Sequence, residues 1–550
     1  MTFPSGLAMF VGENNAGKTA IIDAVRLMLF SGRDFDALRI NEDDFRIGTN
    51  YAPIEIFCTF CDLTQEDEVN FHECLIPIGG EKFLARLNAR VEYNTSTQRA
   101  NVKMWGGATE GGVFPSSLYD KLSLIYLQPL RDPESGLRPG RHSQISRLLD
   151  CLTKEEERGQ FETIAKEAND KIRELGPVNK AKTDLNAQMV SIAGSELAQN
   201  TEFIFSDPTF HKIISGLQPE IEKLPFSVNG LGFNNLIFTA ATLGTLQQGS
   251  QYSFRSVLIE EPEAHLHPQL QVLLLRHLVK VTAGSGNKIQ VIASTHSPIL
   301  ASQAPIDSVI CIHERQEKVS AVSVCAIEYD PILKNKLQRF LDATRAELFF
   351  ARRILMIEGI AEALLLPVLT RIAGGCLKDS AVTVLNADGI NFNAFLPLFG
   401  ADKLSLPVVI LTDGDDWPRT GNSSAAAVGL KAEEANISNL HVEYGEVTFE
   451  HELAKSPQLL PFILEAYKSL HPRSGAALKT ALDNLMTSEE KADAFLSEFL
   501  TSRTSKGKFA QELAWRLESA SLTIDAIPQY IQRALLHLGV IARETPIEPS

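Results

Sequence analysis

A short glycine-rich stretch near the start of the sequence constrains the fold of this chain more than any other feature. Residues 12–19 read Gly-Glu-Asn-Asn-Ala-Gly-Lys-Thr and match G-x-x-x-x-G-K-[ST], the phosphate-cradling loop of P-loop nucleotidases. An apolar run at residues 7–11 precedes the loop, and a helical pattern follows it at residues 20–30. Glycine lets a backbone approach phosphates closely, and the amide groups then point inward at a helix N-terminus. The stretch therefore predicts a strand, loop and helix that bind a nucleotide.

The loop also predicts which side chains contact the nucleotide. Lys18 is expected against the β- and γ-phosphates, and the hydroxyl of Thr19 is expected on Mg²⁺. The other loop residues expected around the phosphates are Gly12, Asn14, Asn15, Ala16 and Gly17. A chance glycine-rich turn is the alternative.

The composition is that of an ordinary globular protein. The chain has 550 residues, 44% of them hydrophobic and 22% charged, and this length suggests two to four domains. The net charge of −16 argues against a protein that coats DNA but not against a local DNA contact. No run of residues resembles a membrane span or a secretory signal, so a cytoplasmic location without membrane association is expected. The seven cysteines are expected to be reduced thiols.

Strand patterns and then a helical segment follow the loop. Strands are predicted at residues 54–60, 83–91, 102–105 and 122–127. Gln128 follows the last strand and is a candidate for the glutamine that senses the nucleotide metal, with a surface glutamine as the alternative. From about residue 144 to residue 221 apolar residues recur near helical spacing. We interpret this segment as a helical insert that packs on a second subunit, with an ordinary lid as the alternative.

Three further segments stand in the order typical of ABC-type ATPases. An Asn-Gly-Leu-Gly-Phe-Asn-Asn segment with Gly230 and Gly232 opens a helix where a nucleotide-contacting signature would stand, although the usual Ser-Gly-Gly-Gln core is absent. An apolar strand then ends in Glu260 and Glu261. The first carboxylate, where Asp is more usual, is expected to hold the water shell of Mg²⁺, and the second to polarise the attacking water. A second buried strand ends at His296, which is expected to meet the γ-phosphate.

The number of these motifs predicts an oligomer. In ABC-type ATPases the phosphate loop of one subunit and the signature of another enclose the ATP. This chain carries one set, so its site is incomplete alone, and a homodimer or higher homo-oligomer is expected.

A second α/β pattern begins after residue 335. One strand ends at Glu358, Glu362 follows on the next helix, and a later strand ends in Asp413-Gly-Asp415. Strands that alternate with helices indicate a parallel sheet, in which the carboxyl ends carry the chemistry. Carboxylates suit Mg²⁺ or Mn²⁺, so we predict that Glu358, Asp413 and Asp415 hold one ion.

A second ion and a lysine complete the predicted site. Glu362, together with Glu450, is predicted to hold the second ion, and two such ions would clamp the attacking and leaving oxygens of a phosphodiester. A lysine would steady charge that develops on the phosphate. Lys506 and Lys508 are the candidates, with Lys506 slightly preferred. A solvated basic turn before a helix at residues 509–517 is the alternative for both.

The acidic motifs at Glu358, Glu362 and Asp413-Gly-Asp415 resemble a Toprim domain, which topoisomerases, bacterial primases and several nucleases share. An ABC-type ATPase followed by Toprim resembles the OLD (overcoming lysogenization defect) family of bacterial and phage-borne nucleases. The segments that carry the resemblance are residues 12–19, 229–235, 258–268, 294–298, 357–362, 413–415 and 506–510. It implies an α/β protein with an ABC/SMC-like P-loop ATPase at residues 1–335, including the insert, and a Rossmann-like Toprim nuclease domain at residues 336–550.

The activity that the resemblance implies is ATP-regulated nicking or cleavage of DNA, often in defence against phage. The cofactors implied are ATP and Mg²⁺ or Mn²⁺. The partners implied are DNA, a second copy of the chain, and a helicase-like or other defence protein. A non-nucleolytic ATP-dependent clamp or sensor, in which Toprim supports a partner, is the alternative. A repair ATPase of the SMC kind would need coiled coils longer than the insert of about eighty residues.

Overall fold

The computed structural model describes most of the chain. The described residues are 1–29, 38, 40–80, 82–112, 114, 116–129, 132–140, 143–205, 207–222, 224–248, 252–283, 289–315, 318–389, 391–417, 421 and 423–542. In these ranges, no helix combines the length and apolar character that a membrane crossing requires. All seven cysteines carry free thiols.

The first 340 residues contain twelve strands and eleven α-helices within the described ranges. The strands are β1 (Leu7–Val11), β2 (Ile54–Phe60), β3 (Leu75–Gly79), β4 (Lys82–Asn94), β5 (Arg99–Gly106), β6 (Leu122–Leu127), β7 (Glu220–Ile221), β8 (Leu224–Pro225), β9 (Phe254–Glu260), β10 (Ile289–Ser294), β11 (Val309–Arg315) and β12 (Lys318–Ser323). The helices are α1 (Lys18–Leu29), α2 (Gln65–Asn70), α3 (Pro133–Leu137), α4 (Gln144–Leu152), α5 (Glu155–Arg173), α6 (Gly176–Ala193), α7 (Phe210–Ser215), α8 (Leu231–Gln248), α9 (Pro268–Thr282), α10 (Pro298–Gln303) and α11 (Pro331–Phe340).

The remaining residues form a second series of strands and helices. The strands are β13 (Arg353–Ile357), β14 (Val382–Asn386), β15 (Val408–Thr412) and β16 (Leu440–Tyr444). The helices are α12 (Ile360–Ile372), α13 (Ala425–Ala432), α14 (Phe449–Ala454), α15 (Leu460–Leu470), α16 (Pro472–Asp483), α17 (Ser488–Thr501), α18 (Lys506–Glu518) and α19 (Gln529–His537).

The chain divides into two compact units. The first unit comprises Met1–Pro4, Ala8–Lys18 and Thr295–Ser550, and the second comprises Ser5–Leu7 and Thr19–Ser294. This division follows internal contacts, so that the phosphate loop contributes to both units. The boundary predicted between residues 335 and 336 follows the motifs instead, and it stays a prediction.

The second unit contains parallel strands and an antiparallel sheet. β9 pairs in parallel with β6 and with β10, and it is buried almost along its whole length, as is typical of parallel strands. β4 pairs in antiparallel fashion with β2, β3 and β5. The apolar face of this antiparallel sheet packs on α1 in a core that includes Leu27, Leu87 and Ala89.

The predicted helical insert lies in the second unit and contains α4 to α7. Its two longest helices, α5 and α6, expose several large apolar side chains. Ile164 is 66% exposed and Ile192 is 81% exposed. Exposed apolar surface of this kind marks a candidate contact with another molecule.

The first unit contains the phosphate-loop strand and a second parallel sheet. β1 pairs in parallel with β11, which pairs in antiparallel fashion with β12. The second sheet has the order β14, β13, β15, β16, and all of its pairings are parallel. Helices α12, α14, α17 and α18 contribute to one core through Leu365, Phe449, Phe495 and Phe509. This sheet brings the ends of β13 and β15 side by side.

Candidate active sites

Glu358 and Asp413 lie together at the carboxyl edge of the second parallel sheet. Met356 of β13 is paired with Ile410 of β15, so the residues that follow the two strands are neighbours. Glu358 Oε2 accepts hydrogen bonds from the hydroxyl of Thr412 at 2.9 Å and from the backbone N–H of Asp413 at 3.1 Å. Strand pairing therefore assembles the first two predicted carboxylates, and Thr412 orients one of them.

The electrostatics of this edge are those of crowded carboxylates. Burial and then the charge of Glu358 raise the pKa of Asp413 well above its ordinary value. The same two causes raise the pKa of Asp415. Burial raises the pKa of Glu362 to about 7, and the charges of Glu450 and Glu358 add to the effect. A divalent cation would relieve this repulsion and stabilise the ionised carboxylates.

Glu362 and Glu450, which lie on two different helices, interact electrostatically with the carboxylates of this edge. Glu362 lies in the first turn of α12 and is 6% exposed, and Glu450 lies in the first turn of α14 and is 1% exposed. The nearest charged partner of Glu450 is Lys506, whose Nζ lies 3.2 Å from Glu450 Oε2. Burial opposes protonation of Lys506, but the charges of Glu450 and Asp413 outweigh it and raise the pKa of the lysine. Lys506 is therefore a cation held among the predicted metal ligands.

The helix predicted at residues 509–517 begins earlier in the structure. α18 starts at Lys506, so both lysines lie in its first turn, and Ser505 caps it by accepting a hydrogen bond from the backbone N–H of Lys508. The cap extends the helix because it satisfies an N–H group that the helix leaves without a partner. Both lysines are exposed, but only Lys506 forms an ion pair with Glu450 among the described residues.

The donor set fits a divalent ion only in part. Among the residues that the structure describes, no three His, Cys, Asp or Glu side chains are placed to hold one ion by themselves. The prediction that Glu358, Asp413 and Asp415 hold one ion therefore stays a prediction, and it requires further ligands from outside the protein. Mg²⁺ in phosphate chemistry usually takes one or two carboxylates and completes its shell with water and phosphate oxygens. The adjacent Glu358 and Asp413 meet this smaller requirement.

A cavity of about 260 Å³ opens onto these carboxylates. Glu358, Asp413 and Asp415 line one side, and Ala425 and Ala426 at the start of α13 line another. The small alanine side chains leave space beside the acidic edge.

The phosphate loop has the backbone conformation that its glycines predict. Gly12 has φ +148°, and a Cβ on it would lie 2.1 Å from the carbonyl oxygen of Ile312. Gly17 has φ +94°, and Asn15 also has a positive φ, 63°, which asparagine tolerates better than most residues. Lys18 Nζ donates to the carbonyl oxygens of Gly12 at 2.8 Å and Glu13 at 2.6 Å, so it lies across the loop that is expected to hold phosphates.

Glu260 is held by two hydroxyl groups in the second unit. Its Oε2 accepts a hydrogen bond from Thr19 at 2.9 Å, and its Oε1 accepts one from Tyr126 at 2.5 Å. Burial and the hydrogen bond to Glu260 raise the pKa of Tyr126, which keeps the phenol protonated as a donor. The sequence pattern did not predict a role for Tyr126, because a tyrosine within a strand matches no nucleotide-binding motif. The guanidinium of Arg26 lies 3.9 Å from the centre of the Tyr126 ring.

The other residues predicted to bind the nucleotide differ in their backbone contacts and exposure. Glu261 has φ 47° and donates its backbone N–H to the carbonyl of Ser294. Gly232 lies in the first turn of α8, where a Cβ would lie 2.5 Å from the carbonyl oxygen of His265. Gly230 directly precedes α8, and Gln128 is exposed just after β6. Ala16 donates its N–H to the carbonyl of Glu13 within the loop.

A second cavity, of about 560 Å³, lies beside the phosphate loop in the first unit. Gly12, Asn14 and His296 line it. His296 and the beginning of the loop thus line the same cavity, and the role of His296 near a terminal phosphate stays a prediction.

Family models match both halves of the chain. A model described as AAA ATPase domain matches residues 116–301, and one described as AAA domain matches residues 1–202. A model described as overcoming lysogenization defect protein-like, TOPRIM domain, matches residues 349–415, which include Glu358, Glu362, Asp413 and Asp415.

Relatives of known name match over most of the chain. The chain is 26% identical to the OLD nuclease of Thermus scotoductus over 427 residues, which covers 75% of this chain and 78% of the relative. It is 22% identical to endonuclease GajA of Bacillus cereus strain HuB5-5, with coverage of 96% and 92%. The C-terminal region of the Burkholderia pseudomallei OLD protein matches with 25% identity and a TM-score of 0.28, over 34% of this chain and 98% of that structure. The family models and the sequence relatives confirm the predicted α/β fold class and the predicted pairing of an ATPase with a TOPRIM nuclease: the chain contains an AAA ATPase domain and an OLD-like TOPRIM nuclease domain and is homologous to the OLD nuclease and GajA.

Proposed function

We propose that this protein is an ATP-regulated, divalent-metal-dependent DNA endonuclease that nicks or cleaves DNA as a homodimer or higher homo-oligomer. The observation that carries the proposal is the meeting of Glu358 and Asp413 at adjacent strand ends, with Lys506 held among buried carboxylates. A scaffold without chemistry has no need of crowded, buried acidic side chains, which disfavour folding.

Each residue of the acidic edge has a place in the proposed reaction. Glu358 and Asp413, with Asp415, would hold one Mg²⁺ or Mn²⁺ together with water and a phosphate oxygen. Glu362 and Glu450 would hold a second ion. Bound ions at such a site activate the attacking oxygen and stabilise the leaving oxygen. The ammonium group of Lys506 would stabilise negative charge that develops on the phosphate. The cavity beside α13 would admit the strand to be cut.

The ATPase residues have corresponding places. Lys18 and the loop backbone would bind the phosphates, and Thr19 and Glu260 would hold the nucleotide-bound Mg²⁺ and its water. Glu261 would polarise the attacking water, and His296 and Gln128 would respond to the terminal phosphate and the metal. The segment at Gly230 and Gly232 would cover the nucleotide of a second copy. A role in anti-phage defence or DNA processing, and a helicase-like or other defence partner, stay predictions from the homology.

The deciding experiment is a plasmid assay. Purified protein is incubated with supercoiled DNA and Mg²⁺, Mn²⁺ or EDTA, each without nucleotide, with ATP and with ADP. We expect relaxed or linear product only with a divalent metal. Asp413→Asn should lose at least about 100-fold in rate, because a neutral amide cannot replace the carboxylate. Asp402→Asn, which removes the same charge from an exposed position, should cut like the wild type.

A non-nucleolytic ATP-dependent clamp or sensor is the rival function. It predicts that wild-type protein cuts no DNA with either metal under any nucleotide condition, while nucleotide still changes its DNA binding. Cleavage that survives in Asp413→Asn at the wild-type rate would point to a contaminating nuclease and would remove the support for this site.

A further inference from the structure

An ion pair links the phosphate loop to the start of the TOPRIM sheet. Arg352 Nε donates to Glu13 Oε2 at 2.7 Å. Glu13 is the second residue of the phosphate loop, and Arg352 directly precedes β13. The other end of β13 leads into Glu358, the candidate metal ligand. All three residues belong to the first unit.

This ion pair borders the 560 Å³ cavity beside the phosphate loop. Gly12, Asn14 and His296 line the cavity from the ATPase motifs, and Arg352 and Glu347 line it from the segment that precedes the TOPRIM sheet. An anion in the cavity would therefore meet the loop backbone and the Arg352 guanidinium at the same time. Arginine stays charged at all relevant pH values and binds phosphate oxygens in a bidentate fashion.

The partner of Arg352 is easily exchanged. The Arg352 side chain is 69% exposed and that of Glu13 is 30% exposed, and ion pairs this accessible to water contribute little to stability. A terminal phosphate carries more charge than the Glu13 carboxylate and offers more acceptor oxygens. We therefore expect a phosphate to bind Arg352 more strongly than the Glu13 carboxylate does.

We propose that Arg352 exchanges Glu13 for the terminal phosphate of a bound nucleoside triphosphate, and so relays occupancy of the phosphate loop through β13 to Glu358. A diphosphate is one group shorter and leaves Arg352 on Glu13. The relay rests on the nucleotide control in the proposed function and names the residue that exerts it.

Nucleotide binding tests the phosphate contact directly. The affinities of the full-length protein for a non-hydrolysable ATP analogue and for ADP are measured by fluorescence with labelled nucleotides. Arg352→Ala should weaken binding of the triphosphate by roughly tenfold or more, because a hydrogen bond to a charged group is lost. Its ADP affinity should stay within about twofold of the wild type. Glu13→Gln breaks the same ion pair but removes the competing anion, so it should strengthen triphosphate binding.

The two variants are expected to change the triphosphate affinity in opposite directions, which distinguishes a phosphate contact from a structural ion pair. An ion pair that only supports the fold would make both variants change in the same direction, and that result would overturn the proposal. Equal losses for ATP analogue and ADP in Arg352→Ala would also overturn it. Arg315→Ala is the charge-matched control, since Arg315 lies in the same unit, donates to the carbonyl of Ser405 and does not line the cavity.

Nicking tests the relay to Glu358. The ratio of nicking rates with and without the ATP analogue is compared in the wild type, Arg352→Ala and Arg315→Ala. The relay predicts that this ratio moves to about one in Arg352→Ala and stays at the wild-type value in Arg315→Ala. A wild-type ratio in Arg352→Ala would overturn the relay. A ratio of one in the wild type would overturn the nucleotide control as well, whereas the binding measurements judge the phosphate contact independently of nuclease activity.

Discussion

At the residue scale, two neighbouring lysines on the same helical turn face different surroundings. Lys506 Nζ lies 3.2 Å from a Glu450 oxygen, and its pKa is raised by Glu450 and Asp413 against the effect of burial. Lys508 is exposed and contributes its backbone N–H to the Ser505 cap. The side chain among the carboxylates is the one placed to act on a phosphate.

Replacement of each lysine should separate these roles. Lys506→Ala should lower the nicking rate by about 10²- to 10³-fold, because one preorganised charge at the phosphate is lost. Lys508→Ala should change the rate by no more than about twofold, as exposed substitutions usually do. Single-turnover plasmid nicking measures both rates, with circular dichroism to confirm folding. If Lys508→Ala lowered the nicking rate more than Lys506→Ala, Lys508 and not Lys506 would be the lysine that acts on the phosphate.

Tyr126 illustrates a residue whose role depends on one hydrogen bond. Its hydroxyl and that of Thr19 hold the two oxygens of Glu260. In Tyr126→Phe, we expect ATP hydrolysis to fall by roughly tenfold, because one of the hydrogen bonds that orient the charged Glu260 carboxylate is removed. Phosphate release measures the effect. Tyr119→Phe is the matched control, since the Tyr119 hydroxyl donates to the Met104 sulfur at 3.6 Å and, among the described residues, to no carboxylate. Equal losses in the two variants would contradict a specific role for Tyr126.

At the element scale, strand ends determine where the acidic side chains lie. Gly414 separates Asp413 from Asp415, and a Cβ on it would lie 2.2 Å from the carbonyl oxygen of Gly445 and 2.5 Å from that of Glu446. The segment after β15 therefore packs directly on the segment after β16. Only glycine allows this approach without displacing the aspartates on either side.

A methyl group at residue 414 should disturb both stability and the site. Gly414→Ala should lower the free energy of unfolding by about 1–3 kcal/mol through overpacking and should reduce nicking as the aspartates shift. Thermal denaturation and the plasmid assay measure the two effects. Gly429→Ala is the control for stability, because a Cβ there meets nothing within 4 Å and alanine favours the helix. A wild-type melting temperature in Gly414→Ala would contradict the close packing.

Element boundaries also show how far hydrophobic patterns predict the fold. The strands predicted at residues 54–60 and 122–127 have these bounds in the structure. Those predicted at 83–91 and 102–105 are shorter than β4 and β5. The residues added next to the turn between β4 and β5 are largely polar and pair with each other across the hairpin, as Asn94 does with Arg99. Backbone hydrogen bonds hold these ends, and such bonds leave no apolar pattern in the sequence.

At the scale of the whole molecule, the helical insert is the candidate for contact with a second copy. Large apolar side chains on α5 and α6 are exposed, among them Ile164 and Ile192. Burying them in an interface would be favourable, and a second copy would place its own segment at Gly230 and Gly232 over the nucleotide of the first.

Charges on this apolar surface should therefore disrupt assembly. We expect Ile164→Glu combined with Ile192→Glu to convert a dimer into a monomer and to reduce ATP hydrolysis with it, because an unpaired charge is costly to bury. Light scattering coupled to size-exclusion chromatography measures the mass. Lys180→Glu, an exposed change on α6, is the control. A variant that stays dimeric would locate the interface elsewhere.

The sequence by itself determined the local chemistry of this protein: the phosphate loop, the two glutamates at the end of β9, the acidic strand ends, and the order of an ATPase before a TOPRIM domain. These features depend on residues close together in the chain, where spacing sets backbone conformation. Only the tertiary structure decided which distant side chains meet. Strand order placed Glu358 beside Asp413, and packing brought Lys506 to Glu450, Tyr126 to Glu260 and Arg352 to Glu13. Such pairings follow from how elements pack against one another, which residue spacing does not encode.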